Sequence, residues 1–470
     1  MTRNNVFTGT SFPALLLAFI VFAANAFGGF IYVSTDDANG NFIYGYSVNE
    51  ATGELTILPG FPVATGFIGA ANTNLEHLVI DKVNKRLYVA NRGSNNISAY
   101  SINSSTGAIT PLSFSPILSV ANQRTLKIHP SGSPLLVGAD TFASFVITES
   151  TATPAEGSPY AMPTGVSPAV STLSPDGQYY YGGGNSGNFI SGFSVNATTG
   201  VLTPLEGAPF NSGSSNPVPF AIDNSGRLFL SSSRQAFMRV FTLDGGVPTA
   251  VTGSPFTIAE TGFASIGALH PSGNFFALPN RTRNYVTMVN ITGSGAATTL
   301  SSIAGSPFLT GGTTSQNSFF NEGGNFLFVA NGGTRNFTRF TVNAKTGALS
   351  DQFVLPANTF GTTGAVSGFA YVHYETVAAP VRLAGRVFLA NGRAGVKVAV
   401  TVTDSLGNSR STLTNGFGYF GFDDVMTGAT YTVSANSKTA QFVTQSITLD
   451  AELTDLQIFE TGNTFQKSRR

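Results

Sequence analysis

The sequence contains no cysteine in 470 residues. That excludes disulfides, thiolate metal sites and a lipid-modified cysteine, so stability has to come from a large packed core. Charge is nearly as scarce: Asp, Glu, Lys and Arg make up 10% of the chain, with 24 basic residues against 24 acidic ones. A nucleic-acid partner needs a local excess of Lys and Arg to neutralise phosphates, and this composition argues against one. Long apolar runs are missing too, apart from one near the N-terminus. Phe12 to Ala24 is apolar for about 13 residues, follows the positive charge of Arg3 and leads into Ala24-Asn25-Ala26. That is the order of a secretory signal peptide, and the run is shorter than the ~20 residues a membrane span requires. The expectation is a protein exported to the periplasm or the exterior, with cleavage near Ala26 and no membrane span in the mature chain. An uncleaved anchor is the alternative.

What is abundant points to a turn-rich, folded chain: 53 glycines and a hydrophobic fraction of 42%. The length exceeds a usual single core, so at least two domains are expected. The strand Leu87-Tyr88-Val89-Ala90-Asn91 recurs as Phe30–Ser34, Pro134–Ala139, Tyr179–Gly183, Arg227–Ser231, Asn274–Leu278 and Phe326–Asn331. These seven copies lie roughly 44 to 57 residues apart, the spacing of four-stranded propeller blades. Turns of one kind precede them, among them His129-Pro130-Ser131-Gly132 and Ser174-Pro175-Asp176-Gly177, where Pro sets φ at one corner and Gly tolerates positive φ at the end. A second turn repeats as Thr52-Gly53, Thr106-Gly107, Thr199-Gly200 and Thr346-Gly347. Blades end in Gly-Ser-Pro-aromatic or near variants. The first copy has no strand before it and the last is followed by an extra one, Val366–Val372. This extra strand is expected to become the inner strand of blade 1 and close the ring, removing exposed sheet edges.

The repeats at Lys85–Gly93, Ile97–Tyr100 and Thr106–Thr110 resemble the seven-bladed lactonase-like propellers, the 6-phosphogluconolactonase type with YVTN-like repeats. The resemblance covers residues 27–375 and implies an all-β, seven-bladed propeller. After a linker at 376–382, residues 383–460 change character, with short alternating strands at Gly385–Leu389, Val396–Thr403, Thr430–Ser434 and Ser446–Leu449 separated by turn sequences. About 80 residues of this kind suggest a small antiparallel β-sandwich. Ala384–Val387, Val400–Asp404, Thr414–Phe420 and Tyr431–Val433 resemble the carboxypeptidase regulatory-like family, whose transthyretin-like sandwiches are accessories of exported proteins. Residues 461–470 read as a tail.

In such a propeller, one rim is formed by the loops that enter the inner strands together with the loops between second and third strands. The latter carry Asp36, Asp37, Arg92, Asp140, Arg234, Arg281, Arg283 and Arg335, so that five of the 24 basic residues face one rim. With Asn91, Asn95, Asn280 and Asn331, these arginines suit carboxylates, phosphates or sugar hydroxyls. The lactonase resemblance implies a second set where the chain enters the inner strand. A Pro-Arg-His-like triplet of related propellers maps to Leu75-Glu76-His77 in blade 2 and Gln123-Arg124-Thr125 in blade 3. On that correspondence His77 is a general base, Arg124 stabilises the oxyanion of a lactone and Glu76 orients either of them. His129 and His270 occupy one turn position in two distant blades, on the opposite rim. No HExxH, phosphate-binding glycine loop or nucleophile elbow is present, and no cofactor is expected. Two functions stand side by side: a binding module for a carbohydrate, cell-surface or anionic small-molecule ligand, and a lactone hydrolase.

Overall fold

The computed structural model describes residues 29–71, 76–258, 265–364, 366–374, 380–404, 407–427, 429–449 and 451–461. The signal peptide, Leu75 of the first triplet, residues 376–379 of the linker and the tail from residue 462 lie outside the described residues. The chain divides into two compact units, one of residues 27–374 and one that takes in residues 375–470.

The larger unit is a ring of seven antiparallel sheets, each with a path of four strands. In blade 2 the path runs Leu78–Asp81, Arg86–Asn91, Asn96–Ile102 and Ile109–Pro111, from the channel outwards. Blade 1 takes its inner strand from the far end of the unit: Val366–His373 pairs antiparallel with Gly29–Thr35, with Phe30 opposite Val372 and Tyr32 opposite Ala370. The expected closure of the ring is therefore present.

The apolar second strands follow from this geometry. In blade 2, Leu87, Tyr88, Val89 and Ala90 are all fully buried, whereas an alternating strand with one solvated face would expose every other residue. Leu87 and Val89 pack with Phe30, Tyr32 and Ile43 of blade 1, while Tyr88 and Ala90 pack with Leu126, Leu135 and Val137 of blade 3. Each second strand is thus core on both faces, and truncating a residue such as Leu87 to Ala costs about 2–5 kcal/mol. The Thr-Gly turn is part of the same packing. Gly107 has φ +70°, a Cβ there would meet the Phe30 ring at 2.6 Å, and its carbonyl accepts a 2.7 Å bond from the Tyr32 hydroxyl. The proline-marked exits hold cis peptides at Phe61-Pro62, Ser115-Pro116, Ser158-Pro159, Ala208-Pro209, Ser254-Pro255 and Ser306-Pro307. In five blades a two-residue strand after that proline also pairs with the third strand, as Ile117–Leu118 does with Asn96 and Ile97.

The smaller unit has two sheets. Ser409–Leu413, Ala399–Thr403, Ala429–Asn436 and Gln445–Leu449 form one, and Tyr419–Met426, Pro380–Phe388 and Leu453–Phe459 form the other. Leu383, Val387, Val400, Val402, Phe422, Val433 and Ile458 fill its core. It differs from the expectation in two ways. Strand pairing begins at Pro380, so the linker is shorter than 376–382. The last strand also runs parallel to Pro380–Phe388, so the unit is not wholly antiparallel. Gly385 permits this pairing, since a Cβ there would lie 2.0 Å from the Leu456 carbonyl oxygen.

Candidate functional site

Blades 2 and 3 bring His77, Arg92 and Arg124 to one rim. The inner strand of blade 3 starts at Thr125, beside Glu76: Glu76 N–H donates to Arg124 O and Leu126 N–H to Glu76 O, both at 2.9 Å. His77 follows Glu76 and is fully buried. Its Nε2 lies 2.8 Å from the carbonyl oxygen of Gln123 and therefore carries the proton. Its Nδ1 is 3.7 Å from Asp36 Oδ1, too long for a hydrogen bond. Asp36, also fully buried, accepts a 2.9 Å bond from the Ala70 amide. Burial pushes the His77 pKa below its ordinary value, against the pull of Asp36 and the Gln123 carbonyl; Arg92 and Arg124 push the same way. This is a neutral imidazole sealed under the rim, with no ring atom facing solvent. The base role implied by the triplet correspondence has no support in this geometry.

The accessible part of the cluster is an arc of four side chains. Arg92 Nη2 is 3.5 Å from Asn122 Oδ1, Asn122 Nδ2 donates to Asp140 Oδ2 at 2.6 Å, and Arg124 Nη2 contacts Asp140 Oδ1 at 3.4 Å. Side-chain exposure is 17% for Arg124 and 59% for Asp140. Burial and the adjacent Arg124 cation hold the pKa of Arg92 below the usual guanidinium value, and Asp36 and Asp140 draw it back. Among the described residues no acceptor reaches Nε or Nη1 of Arg92, or Nε of Arg124, although all three atoms are buried. A buried N–H without an acceptor is costly, about 1–3 kcal/mol and more for a charged group. Two such guanidinium groups side by side are complementary to an anionic or strongly dipolar oxygen ligand.

The other expected residues have separate places. Glu76 touches neither His77 nor Arg124 through its carboxylate. It accepts from Thr125 Oγ1 at 2.9 Å and Lys127 Nζ at 2.6 Å, and it lines a cavity of about 270 Å³ in the central channel with Lys127, Phe220, Phe319 and Phe369. Asn91 is fully buried and has no atom to offer a ligand. Its Nδ2 donates to Asn96 Oδ1 and Ser98 Oγ, and its Oδ1 accepts from Asn41 Nδ2. Asn331 makes the same contacts with Asn336 and Thr338 in blade 7, and Asn280 bonds to Thr282, Arg283 N–H and Tyr285 within blade 6. Arg335 donates to the Gly364 carbonyl at 2.9 Å and lies near Asp37. Arg281 is half-buried, whereas Arg234 and Arg283 are exposed. The expected arginine ring thus resolves into the Arg92–Arg124 pair and arginines placed separately in blades 5, 6 and 7. Asn122 and the Gln123 carbonyl were not singled out by sequence reasoning; their position just before Arg124 was the available signal.

Residues 20–152 match the family described as "Lactonase, 7-bladed beta-propeller". Among solved structures, the chain is similar to a candidate 6-phosphogluconolactonase from Bacteroides uniformis at 18% identity and TM-score 0.60, covering 73% of this chain and 99% of that one. A counterpart from Bacteroides fragilis shares 18% identity at TM-score 0.56, over 73% and 98% of the two chains. The periplasmic gluconolactonase of Pseudomonas aeruginosa shares 18% at TM-score 0.52, over 73% and 99%. At such identities the likeness is one of fold. No curated protein matches the chain.

Proposed function

We propose that this is an exported propeller that binds a small carboxylate-bearing molecule of the sugar-acid type on the rim between blades 2 and 3. The observation that carries the reading is the pair of half-buried arginines, Arg92 and Arg124, with guanidinium N–H groups that no described residue accepts. Asn122 and Asp140 beside them suit the hydroxyls of such a ligand. The signal-like N-terminus supports export, and the small unit is read as a non-catalytic accessory domain of the carboxypeptidase regulatory-like kind. Titration calorimetry with sodium gluconate tests the binding. Arg92→Ala and Arg124→Ala should each weaken it by about 10- to 150-fold, the value of a lost charge-assisted hydrogen bond of about 1.5–3 kcal/mol. Heat signals that are absent, or identical in all three proteins, would reject this site.

The family match and the gluconolactonase neighbour favour a second reading, hydrolysis of a lactone at the same place. There the arginines would face the carbonyl oxygen and Asp140 is the exposed carboxylate. Asp140 would take a proton from water as the oxygen attacks the carbonyl carbon, the ring C–O bond would break, and the proton would pass to the leaving alkoxide. Glucono-1,5-lactone hydrolysis above the uncatalysed rate, lost in Asp140→Asn and retained in His77→Gln, is the expected outcome of this reading. Loss in His77→Gln with retained folding would restore the histidine as base.

A further inference from the structure

On the rim opposite the arginines, two adjacent seams lack the closing contact that four others make. The inner strand of each blade from 2 to 7 runs into an equivalent residue, namely Asp81, His129, Ser174, Asp223, His270 or Asn321, which opens the turn leading to the second strand. In three blades that residue closes the seam to the next blade by meeting the glycine at the far corner of the next turn. A Cβ on Gly132 would lie 2.8 Å from Asp81 Oδ2, and one on Gly177 would lie 2.1 Å from His129 Nε2. The Nε2 of His270 bonds to the Gly324 carbonyl at 2.9 Å. At the seam between blades 7 and 1, Asn321 donates to Glu50 at 2.8 Å.

Blades 4 and 5 do otherwise. Ser174 is short and turns back to Asp176 Oδ1 at 2.5 Å. Asp223 is held inside its own turn by Arg227, whose Nε donates to it at 2.7 Å. The facing corners, Gly226 and Gly273, have nothing within 4 Å of where a Cβ would stand. The seams open as cavities of about 580 and 430 Å³ with a shared wall that includes Pro175, Ile222, Asp223 and Asn224. A departure from an otherwise repeated packing rule, at neighbouring positions, marks a place where something other than stability shaped the sequence.

We propose that these two unlatched seams form one groove for a neutral oligosaccharide. The chemistry of the lining selects that class. Gln178, Asn224 and Asn274 present exposed side-chain amides, paired donors and acceptors matched to sugar hydroxyls, whereas the Ser225 and Ser272 hydroxyls beside them are held within their turns by Asp223 Oδ1 and His270 Nδ1, each at 2.8 Å. Pro175 and Pro271 supply exposed apolar surface for the C–H faces of pyranose rings. The guanidinium of Arg227 is engaged by Asp223, by Gly293 O at 3.3 Å and by Thr298 Oγ1 at 3.2 Å, so it is spent on the fold. The exposed charge in the groove is then the carboxylate of Asp176, which disfavours an anion. Two cavities joined at Asn224 suit a chain of sugar units better than one.

Calorimetry of the full chain with cellotriose, maltotriose, xylotriose and chitotriose at millimolar concentration tests this. At least one trisaccharide should bind. Asn224→Ala should weaken that binding about tenfold, the effect of one hydrogen-bonding side chain. Ser174→His, which places at this seam the residue that closes the seam between blades 3 and 4, should abolish it while the melting temperature holds or rises. Arg92→Ala should leave it unchanged, which separates this groove from the arginine rim. Binding of none of the four sugars, or binding unaffected by both groove variants, overturns the proposal.

Discussion

Asn91 and Arg92 are neighbours in the chain with opposite expected roles, and substituting each in turn separates architecture from recognition. Asn91→Ala removes a side chain that satisfies Asn41, Asn96 and Ser98, all of them buried. Asn41 Nδ2 keeps its contact with the Ala90 carbonyl, while the other two groups lose a partner each. The cost is about 2–4 kcal/mol, taking about 1–3 kcal/mol for each buried group left unsatisfied and allowing some relaxation. Unfolding entropy near 2.1 cal/mol/K per residue gives a unit of about 350 residues roughly 0.7 kcal/mol/K, so its melting temperature should fall by about 3–6 °C. Arg92→Ala, by contrast, deletes buried N–H groups that no described residue accepts. Relieving those unsatisfied groups should hold or raise the melting temperature while weakening gluconate binding. Differential scanning calorimetry and titration calorimetry on the two variants read both quantities. If Arg92→Ala lowered the melting temperature as Asn91→Ala does and left affinity intact, the arginine would be a structural residue and the rim site would be lost. If Asn91→Ala weakened gluconate binding at unchanged stability, the architectural reading of Asn91 would fail.

Burial holds the pKa values of His77, His129 and His270 below their ordinary value. As pH falls through about 6.5 the unfolded chain takes up protons that the folded chain refuses, so stability should drop as the pH is lowered past that point, with a shallower slope in His270→Gln; an equal slope would mean that His270 titrates normally in the fold. Glu50 joins the closing strand to blade 7, accepting from Tyr371 Oη at 2.7 Å and Asn321 Nδ2 at 2.8 Å. Glu50→Ala should therefore speed amide exchange across Val366–His373 by about tenfold or more, and unchanged protection there would show that backbone pairing alone holds the strand. Gly385→Val forces a side chain against the Leu456 carbonyl and should unfold the small unit, seen as loss of its calorimetric transition with the propeller transition kept.

Seven blades and the closing strand were legible because most blades repeat the same chemistry: an apolar run, a Pro/Gly turn and a proline-marked exit. The two-residue strands after those prolines were not, since a pair such as Ile117-Leu118 has no periodicity of its own. The site was harder to read. His77 and Asp36 lie in different blades, and only the ring brings them within 3.7 Å. The triplet correspondence placed His77 at the right position but could not show that the Gln123 carbonyl seals it. Asn91 was misread as a ligand residue although a signal was present. Asn91, Asn96 and Ser98 have the same spacing as Asn331, Asn336 and Thr338, and a pattern repeated in two blades is more often scaffold than site. Glu76 was misread for another reason: its preference for Lys127 depends on two inner strands lying side by side, which no local sequence records.

The closing strand also fixes an order of events during synthesis. Gly29–Thr35 leaves the ribosome early, yet its partner begins at Val366, roughly 330 residues later, which is about 15–65 s at ~5–20 residues per second. For all that time blade 1 has a bare inner edge of seven residues that are all buried in the finished fold. A nascent or truncated chain that stops between Val354 and Val366 would carry six finished blades and one open template for strand addition. Chain termination before that point is therefore expected to yield an aggregating product rather than a smaller working propeller.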